Sequence, residues 1–252
     1  GIAILIEDYS ERYALEQKLT HNERLASIGQ LATGVAHEIG NPVTGIACLA
    51  QDLRAEYVEL GYRSEGLDQI LEQTERISRI VSSLSNFSHA GAADDYLAET
   101  LDLHYVIVEA ISLVSLSHAG KQMQYLNRCQ QDSLIFGFPQ KLIQVFVNLL
   151  SNATDASEPG QSIVVESHRD DGHIAISVKD QGKGIAETDL NRIFEPFFTT
   201  KMVGDGTGLG LSLAYNIIEE HGGSISVTSK TGEGCCFDIR LPTTEQSKLV
   251  SV

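Results

Sequence analysis

The 252-residue sequence predicts an α+β chain in two parts: a helical hairpin that pairs into a dimeric antiparallel four-helix bundle, then an α/β two-layer sandwich. Three observations carry this. Two stretches with 3-4 apolar spacing are separated by a break at Gly61. HAGAADD (His89–Asp95) is small, polar and acidic, the composition of a linker. Beyond it, strands and helices mix without βαβ regularity, and a hydrophobic content of 42% favours packed cores over disorder.

Residues 1–8, GIAILIED, read as an apolar strand without a nearby partner, the last strand of a domain otherwise missing. Asp8 and Glu11 have the form of a capping box, so a helix starts there and runs to about Tyr57. Leu25, Ile28, Ala32, Val35 and Ile39 have the spacing of a bundle seam, whereas Leu15, Leu19 and Asn22 follow the same rhythm one residue out of step. Two readings of that offset stand: a phase break able to store a two-state signal, or an imperfect helix. After Glu59–Ser64, a second helix is marked by Leu67, Ile70, Thr74, Ile77, Val81 and Leu84. Such a hairpin has too little core to stand alone, and twofold pairing supplies the rest. In the second part, helices are expected over Leu103–Ser115, Pro139–Ser157 and Leu209–Glu220. Strands are expected near Gln122–Cys129, at Ser162–Ser167 and Ile174–Lys179, and in a hairpin of Ser224–Ser229 and Cys235–Leu241 around Thr231–Gly234. Thr243–Val252 reads as a frayed polar tail.

Composition excludes several classes of partner. The net charge is −16, with −8 in residues 1–98 and −8 in residues 99–252, and no Lys/Arg run occurs. This argues against nucleic acid or an anionic membrane surface. No purely apolar stretch is longer than Ile2–Ile6, which is far too short to span a bilayer. Cys48, Cys129, Cys235 and Cys236 form no CxxC pair and read as reduced packing residues.

Four constellations carry chemistry. In Ala36–Pro42, AHEIGNP, His37 falls opposite the seam beside Glu38. A neutral imidazole offers a nucleophilic nitrogen, and a carboxylate that takes the other nitrogen's proton is a general base; a lone surface histidine is the plainer reading. Pro42, with Gly34, Gly40 and Gly45, signals a helix bend or close helix packing. On the helix after Pro139, Asn148, Asn152 and Asp155 share one face. That oxygen-rich face suits Mg²⁺, with structural hydrogen bonding as the alternative. Asp180-Gln-Gly182-Lys-Gly184-Ile185 follows a strand; it is either a turn or a platform where Asp180 accepts from an exocyclic amine. Gly204–Ser212 opens a helix with glycines at alternate positions, an anion cradle flanked by Lys201, Lys183 and Arg192. Between the last two, Ile193–Lys201 (IFEPFFTTK) reads as an apolar-anchored hinged lid.

Together these segments resemble the cytoplasmic core of a two-component sensor histidine kinase. HEIGNP resembles the phosphoacceptor box, NLLSNATDA the N box, DQGKGI the first glycine box, FEPFFTTK the F box and GTGLGLSLA the second glycine box. All five occur in the family's order. The resemblance implies residues 1–8 as the last strand of a PAS-like sensor domain and 9–22 as a signalling coiled coil. It implies 23–92 as the dimerisation and phosphotransfer hairpin, 93–242 as the ATP-binding domain and 243–252 as a tail. It further implies that His37 is phosphorylated from Mg·ATP with Glu38 as base, and that Asn41 positions water when a partner is dephosphorylated. Asn148 would ligate Mg²⁺, Asn152 would contact phosphate and Asp180 would anchor adenine within Gly182, Gly184 and Ile185. Thr199, Thr200, Lys201, Gly206, Thr207, Gly208, Leu209, Gly210 and Leu211 would surround the polyphosphate. The partners implied are a second copy of the chain and a response-regulator receiver domain. One departure concerns Asp155, which stands where many members carry Lys; another is Phe138, which follows Gly137 where an acidic residue is common.

Two other readings compete. An ATPase of the gyrase or mismatch-repair type shares the N box but activates water with a Glu where this chain has Gln144. A noncatalytic dimeric scaffold would not need Glu38, Asn148 and Asp180 together.

Overall fold

The computed structural model describes residues 39–89, 97–117, 119–131, 133–201 and 206–244. The expected strand at 1–8, the helix start at Asp8, the seam residues before Ile39, His37 and Glu38 lie outside them, as do most of the linker and residues 245–252. The chain divides into two units, Gly1–Ala93 and Asp94–Val252.

In the first unit, helix α1 (residues 39–59 of its described part) runs uninterrupted through Pro42. It ends where Tyr62 N–H donates to Tyr57 O and Gly61 N–H to Val58 O, the paired bonds that close a helix C-terminus. Ser64 then opens α2 (Glu65–His89), its hydroxyl accepting from Leu67 N–H at 3.4 Å. The helices are antiparallel. A Cβ on Gly40 would lie 3.6 Å from Val81, and at the opposite end Arg54 reaches Asp68 at 3.5 Å. Val43, Ala50 and Thr74 are buried, and the Thr74 hydroxyl donates to Leu71 O at 2.8 Å. Ile39, Ile46 and Leu53 on α1, and Ile70 and Ile77 on α2, recur at seven-residue spacing and are all at least 37% exposed. The apolar pattern is therefore split between a face turned to the other helix and a stripe left uncovered.

The second unit is a two-layer sandwich. Its five-stranded sheet is formed by β2 (Gln124–Arg128), β4 (Ser162–Asp170), β5 (His173–Lys179), β6 (Ser224–Ser229) and β7 (Cys235–Pro242), in the order β2-β4-β5-β7-β6. Only β2 and β4 are parallel, and their crossover contains α4 (Pro139–Ala156); the remaining neighbours are antiparallel. Alternation decides the buried face: Ile163 and Val165 on β4, Ile174, Ile176 and Val178 on β5, and Phe237, Ile239 and Leu241 on β7 point inward. Against them pack α3 (Leu103–Ser115), α4 and α6 (Gly210–Glu220), with Ile107, Phe146, Leu149, Leu150 and Ile217 fully buried.

Sequence and structure differ in three places. The sequence offers no sign of a second, two-stranded sheet of β1 (Glu99–Asp102) and β3 (Leu134–Gly137), because neither ETLD nor LIFG alternates apolar with polar residue types. A single helical turn, α5 (Glu187–Leu190), interrupts the expected loop. Thr243, expected in a frayed tail, is buried, bridges to Ile135 and donates its N–H to Gly172 O at 2.9 Å. The cysteines also divide. Cys129 and Cys235 are buried and Cys48 is exposed; burial pushes the Cys129 and Cys235 thiols up to about 11 and about 12, which makes them inert.

Candidate functional site

The site is built where α4, the start of α6 and the loop after β5 meet. On α4, Asn148 is clamped from two sides. Its Nδ2 donates to Gly210 O at 3.0 Å, and its Oδ1 accepts from Gln144 Nε2 at 3.0 Å. A carbonyl can only accept, so the Gly210 contact settles which end of the amide is which. Among the described residues Gln144 is the donor to Oδ1, which leaves one lone pair. One turn on, Asn152 Oδ1 accepts from Lys201 Nζ at 3.3 Å, and Asp155 pairs with the same ammonium at 2.5 Å.

The loop after β5 lies against the end of α4. Lys183 N–H donates to Ala156 O at 3.0 Å, and a Cβ on Gly182 would fall 2.4 Å from that oxygen. Asp180 is 3% exposed; its Oδ1 accepts from Gly182 N–H at 2.8 Å and Cys235 N–H at 3.2 Å. Among the described residues no donor reaches Oδ2, which leaves one carboxylate oxygen for a ligand. Burial raises the Asp180 pKa above the usual 3.8, with the two backbone donors pulling the other way. Gly184 holds φ +67°, and a Cβ there would meet Lys230 O at 2.2 Å. Its absent side chain thus serves the close approach of two loops of the protein itself, not only that of a ligand. Ile185 N–H donates to the Ser229 hydroxyl at 2.9 Å, which donates in turn to Gly234 O at 2.7 Å. The Thr231–Gly234 turn, singled out from the sequence only as a hairpin closure, is part of the scaffold around Asp180. No local pattern signals this, because Asp180 and Cys235 are 55 residues apart.

The segment between the glycine loops is anchored by buried Ile193 and by Phe194, whose ring lies 5.5 Å from Tyr215 and 6.4 Å from Phe237. Phe197 adopts φ +65° and its N–H donates to Gly208 O at 2.9 Å; a Cβ on Gly208 would sit 2.4 Å from the Phe197 backbone. Thr199 Oγ1 accepts from Lys201 N–H at 3.1 Å, and Thr200 is exposed. Leu209 precedes α6 with no side-chain cap on that helix, and Thr207 Oγ1 accepts from Leu209 N–H only at 3.4 Å. Among the described residues no side chain caps the first turn of α6, an arrangement that suits an anion. Leu211 is half-buried and offers backbone alone.

The structure thus brings together Asn148 with Gly210, and Asn152 and Asp155 with Lys201. It also places the Asp180–Ile185 loop at the end of the same helix. Asn41, in the other unit, is exposed on α1. Gln144 has a structural part that the sequence pattern does not signal: it donates to Asn148 Oδ1 and so shares in holding that amide. A single amide oxygen with a spare lone pair fits a cation that takes few protein ligands and completes its shell with water and phosphate. Among the described residues no cluster of three His, Cys, Asp or Glu could hold a metal unaided.

Residues 27–93 match the His Kinase A (phospho-acceptor) domain. Residues 137–245 match the family of histidine kinase-, DNA gyrase B- and HSP90-like ATPases. The sensor histidine kinase ZraS of Escherichia coli K12 is 38% identical over 235 residues, 92% of this chain and 49% of its own length. Sporulation kinase A of Bacillus subtilis strain 168 is 35% identical over 96% of this chain and 39% of its own length. The chain therefore spans about half or less of these relatives. Among solved structures, the catalytic domain of histidine kinase ThkA is 30% identical, with a TM-score of 0.53 over 60% of this chain and 98% of that one. Full-length ShkA in complex with AMPPNP shares the fold at 23% identity, with a TM-score of 0.69 over 85% of this chain and 46% of that one.

Proposed function

This chain belongs to the two-component sensor histidine kinases, and from that premise we propose that it phosphorylates its own His37 from Mg·ATP. We further propose that it passes the phosphoryl group to an aspartate of a response-regulator receiver domain, and dephosphorylates that partner. The supporting observation is one chain carrying both a phospho-acceptor match that spans His37 and a nucleotide-type site built on Asn148, Asp180 and the start of α6.

In this reading Asp180 Oδ2 accepts from the adenine amine, while the loop around Gly182, Gly184 and Ile185 supplies the flat wall. The first-turn N–H groups of α6 and the ammonium of Lys201 face the phosphates. Asn148 Oδ1 would hold Mg²⁺, which neutralises charge on the phosphate oxygens when bound. A ring nitrogen of His37 forms a bond to the γ-phosphorus as the bond to the bridging oxygen breaks and ADP leaves. Glu38 takes the proton from the other ring nitrogen. Asn41, exposed on α1, orients water for the reverse duty on the receiver. The catalytic work is mostly positioning and charge neutralisation, so no elaborate cluster is required.

The gyrase-type reading is not favoured. The Gln144 amide already donates to Asn148 and cannot take a proton from water, and hydrolysis alone leaves the phospho-acceptor match at 27–93 unexplained. The family match implies a dimer, and the uncovered heptad stripe is its expected contact. No helix among the described residues is long and apolar enough to cross a membrane; a cytoplasmic setting and a PAS-like sensor upstream remain part of the proposal.

Incubation with γ-labelled Mg·ATP is expected to leave acid-labile, base-stable phosphate on the chain and none on His37→Gln. Equal labelling of His37→Gln would overturn the nucleophile, and stoichiometric turnover without label would favour the ATPase. Asn41→Ala is expected to keep autophosphorylation and lose dephosphorylation of a cognate receiver; full retention of both removes Asn41 from that role.

A further inference from the structure

Lys201 is held at three levels. Its backbone N–H is taken by Thr199 Oγ1 at 3.1 Å, and its stem runs beneath Gly206, where a Cβ would lie 3.0 Å from Lys201 Cδ. Its ammonium is bound to Asp155 at 2.5 Å and Asn152 at 3.3 Å. The side chain is 26% exposed and that of Asp155 48%. An ion pair this open to water is weak and can be exchanged for another anion. The pairing is also specific to what stands at position 155: a carboxylate on the face of α4 that carries Asn148 and Asn152, where a polyphosphate would meet repulsion unless a cation lay between.

We propose that Asp155 is a positioning residue that holds the Lys201 ammonium on α4 and competes for it with the phosphates of the nucleotide, lowering nucleotide affinity. The claim rests on the nucleotide-site reading above and adds to it a named competitor. The anion in question is a polyphosphate, and the exchange is one of partners only: no covalent bond is made or broken. Asp155 acts through Lys201, so its effect must vanish when Lys201 cannot respond. Plain repulsion between Asp155 and phosphate would persist without Lys201, and a purely structural role would lower affinity or leave it unchanged.

The test is a double-mutant cycle read by Mg·ATP titration of the dimeric protein, with Lys201 acylation followed by mass spectrometry without nucleotide. Asp155→Ala is expected to bind Mg·ATP roughly two- to fivefold tighter, the range open to an exposed ion pair. Lys201→Ala is expected to bind more weakly, and adding Asp155→Ala to it should change nothing further. In the nucleotide-free protein, Lys201 should be acylated faster in Asp155→Ala than in the wild type. Weaker or unchanged binding by Asp155→Ala, or an equal gain in the Lys201→Ala background, overturns the competition. Unchanged acylation of Lys201 overturns the ion pair itself. Absence of any nucleotide binding by the wild-type chain overturns the site assignment instead, which the acylation readout keeps separate.

Discussion

Asp180 shows how one residue's burial sets both a cost and a function. Both backbone donors use Oδ1, so the second oxygen is held in place by bonds that do not involve it. Burial raises the pKa, and the sign follows: the group contributes stability that is complete below 3.8 and lost as pH rises through the raised value. At neutral pH the charge is therefore a burden on the fold, and the proposed adenine contact gives it a use. Asp180→Asn is expected to melt no lower than wild type at pH 7, since its remaining oxygen can still accept both N–H groups. The same variant should bind ATP roughly tenfold to a hundredfold more weakly, because an N–H now faces the adenine amine. Calorimetric melting with an ATP titration checks both. A drop in both stability and affinity would make Asp180 a structural residue. Its type and its place after a strand were legible in the sequence; the partner Cys235 and the choice of Oδ1 were not.

Between helices, the decisive joint is built on an imidazole. His221, at the end of α6, accepts from Phe138 N–H at 3.0 Å through Nε2, just before α4. A backbone N–H can only donate, so Nε2 carries no proton, and Nδ1–H donates to Ile217 O at 2.6 Å. Lys141 and Glu220 bridge the same two helices at 2.7 Å. The joint aligns α4 and α6, which are also linked by the Asn148–Gly210 hydrogen bond. Burial lowers the His221 pKa below its usual 6.5. Stability from the neutral ring is thus full above pH 6.5 and lost as pH falls toward the lowered value. Thermal melts should show an acid-side loss below about pH 6.5 that is shallower in His221→Gln, although that variant melts lower at pH 7.5. Identical acid limbs would show that another group governs the loss. The helices themselves were readable, since Val145, Leu149 and Ala153 repeat on one face of α4. Gly137, in contrast, gave no sign that it must be small because the His221 ring lies 2.4 Å from where its Cβ would be.

At the scale of the whole molecule, the hairpin leaves Ile39, Ile46, Leu53, Ile70 and Ile77 partly in water. Covering that stripe with a second copy buries the same residues twice and closes four helices into a bundle. Ile46→Asp combined with Ile77→Asp is expected to convert a dimer into a monomer in sedimentation at micromolar concentration. An unchanged dimer would place the interface elsewhere. The seven-residue period was written in the sequence, because a helix repeats its faces whatever it packs against. The period could not say which apolar positions face the neighbouring helix and which face outward: Val43 and Ala50 are buried while Ile46 between them is not. The same division runs through the second unit. Periodicity and glycine spacing determined the helices, the long strands and the loops that bear the site, since these are local consequences of backbone geometry and side-chain pattern. Only the tertiary structure decided the β1–β3 pairing, the Cys235 support of Asp180, the Gln144 clamp on Asn148 and the Asp155–Lys201 pair. Most of these contacts join residues tens of positions apart, and they exist only once the sheet and its helices have packed. The exception is the Gln144 clamp, where one helical turn brings the residues together and the Gly210 carbonyl of a distant helix decides which way the amide turns.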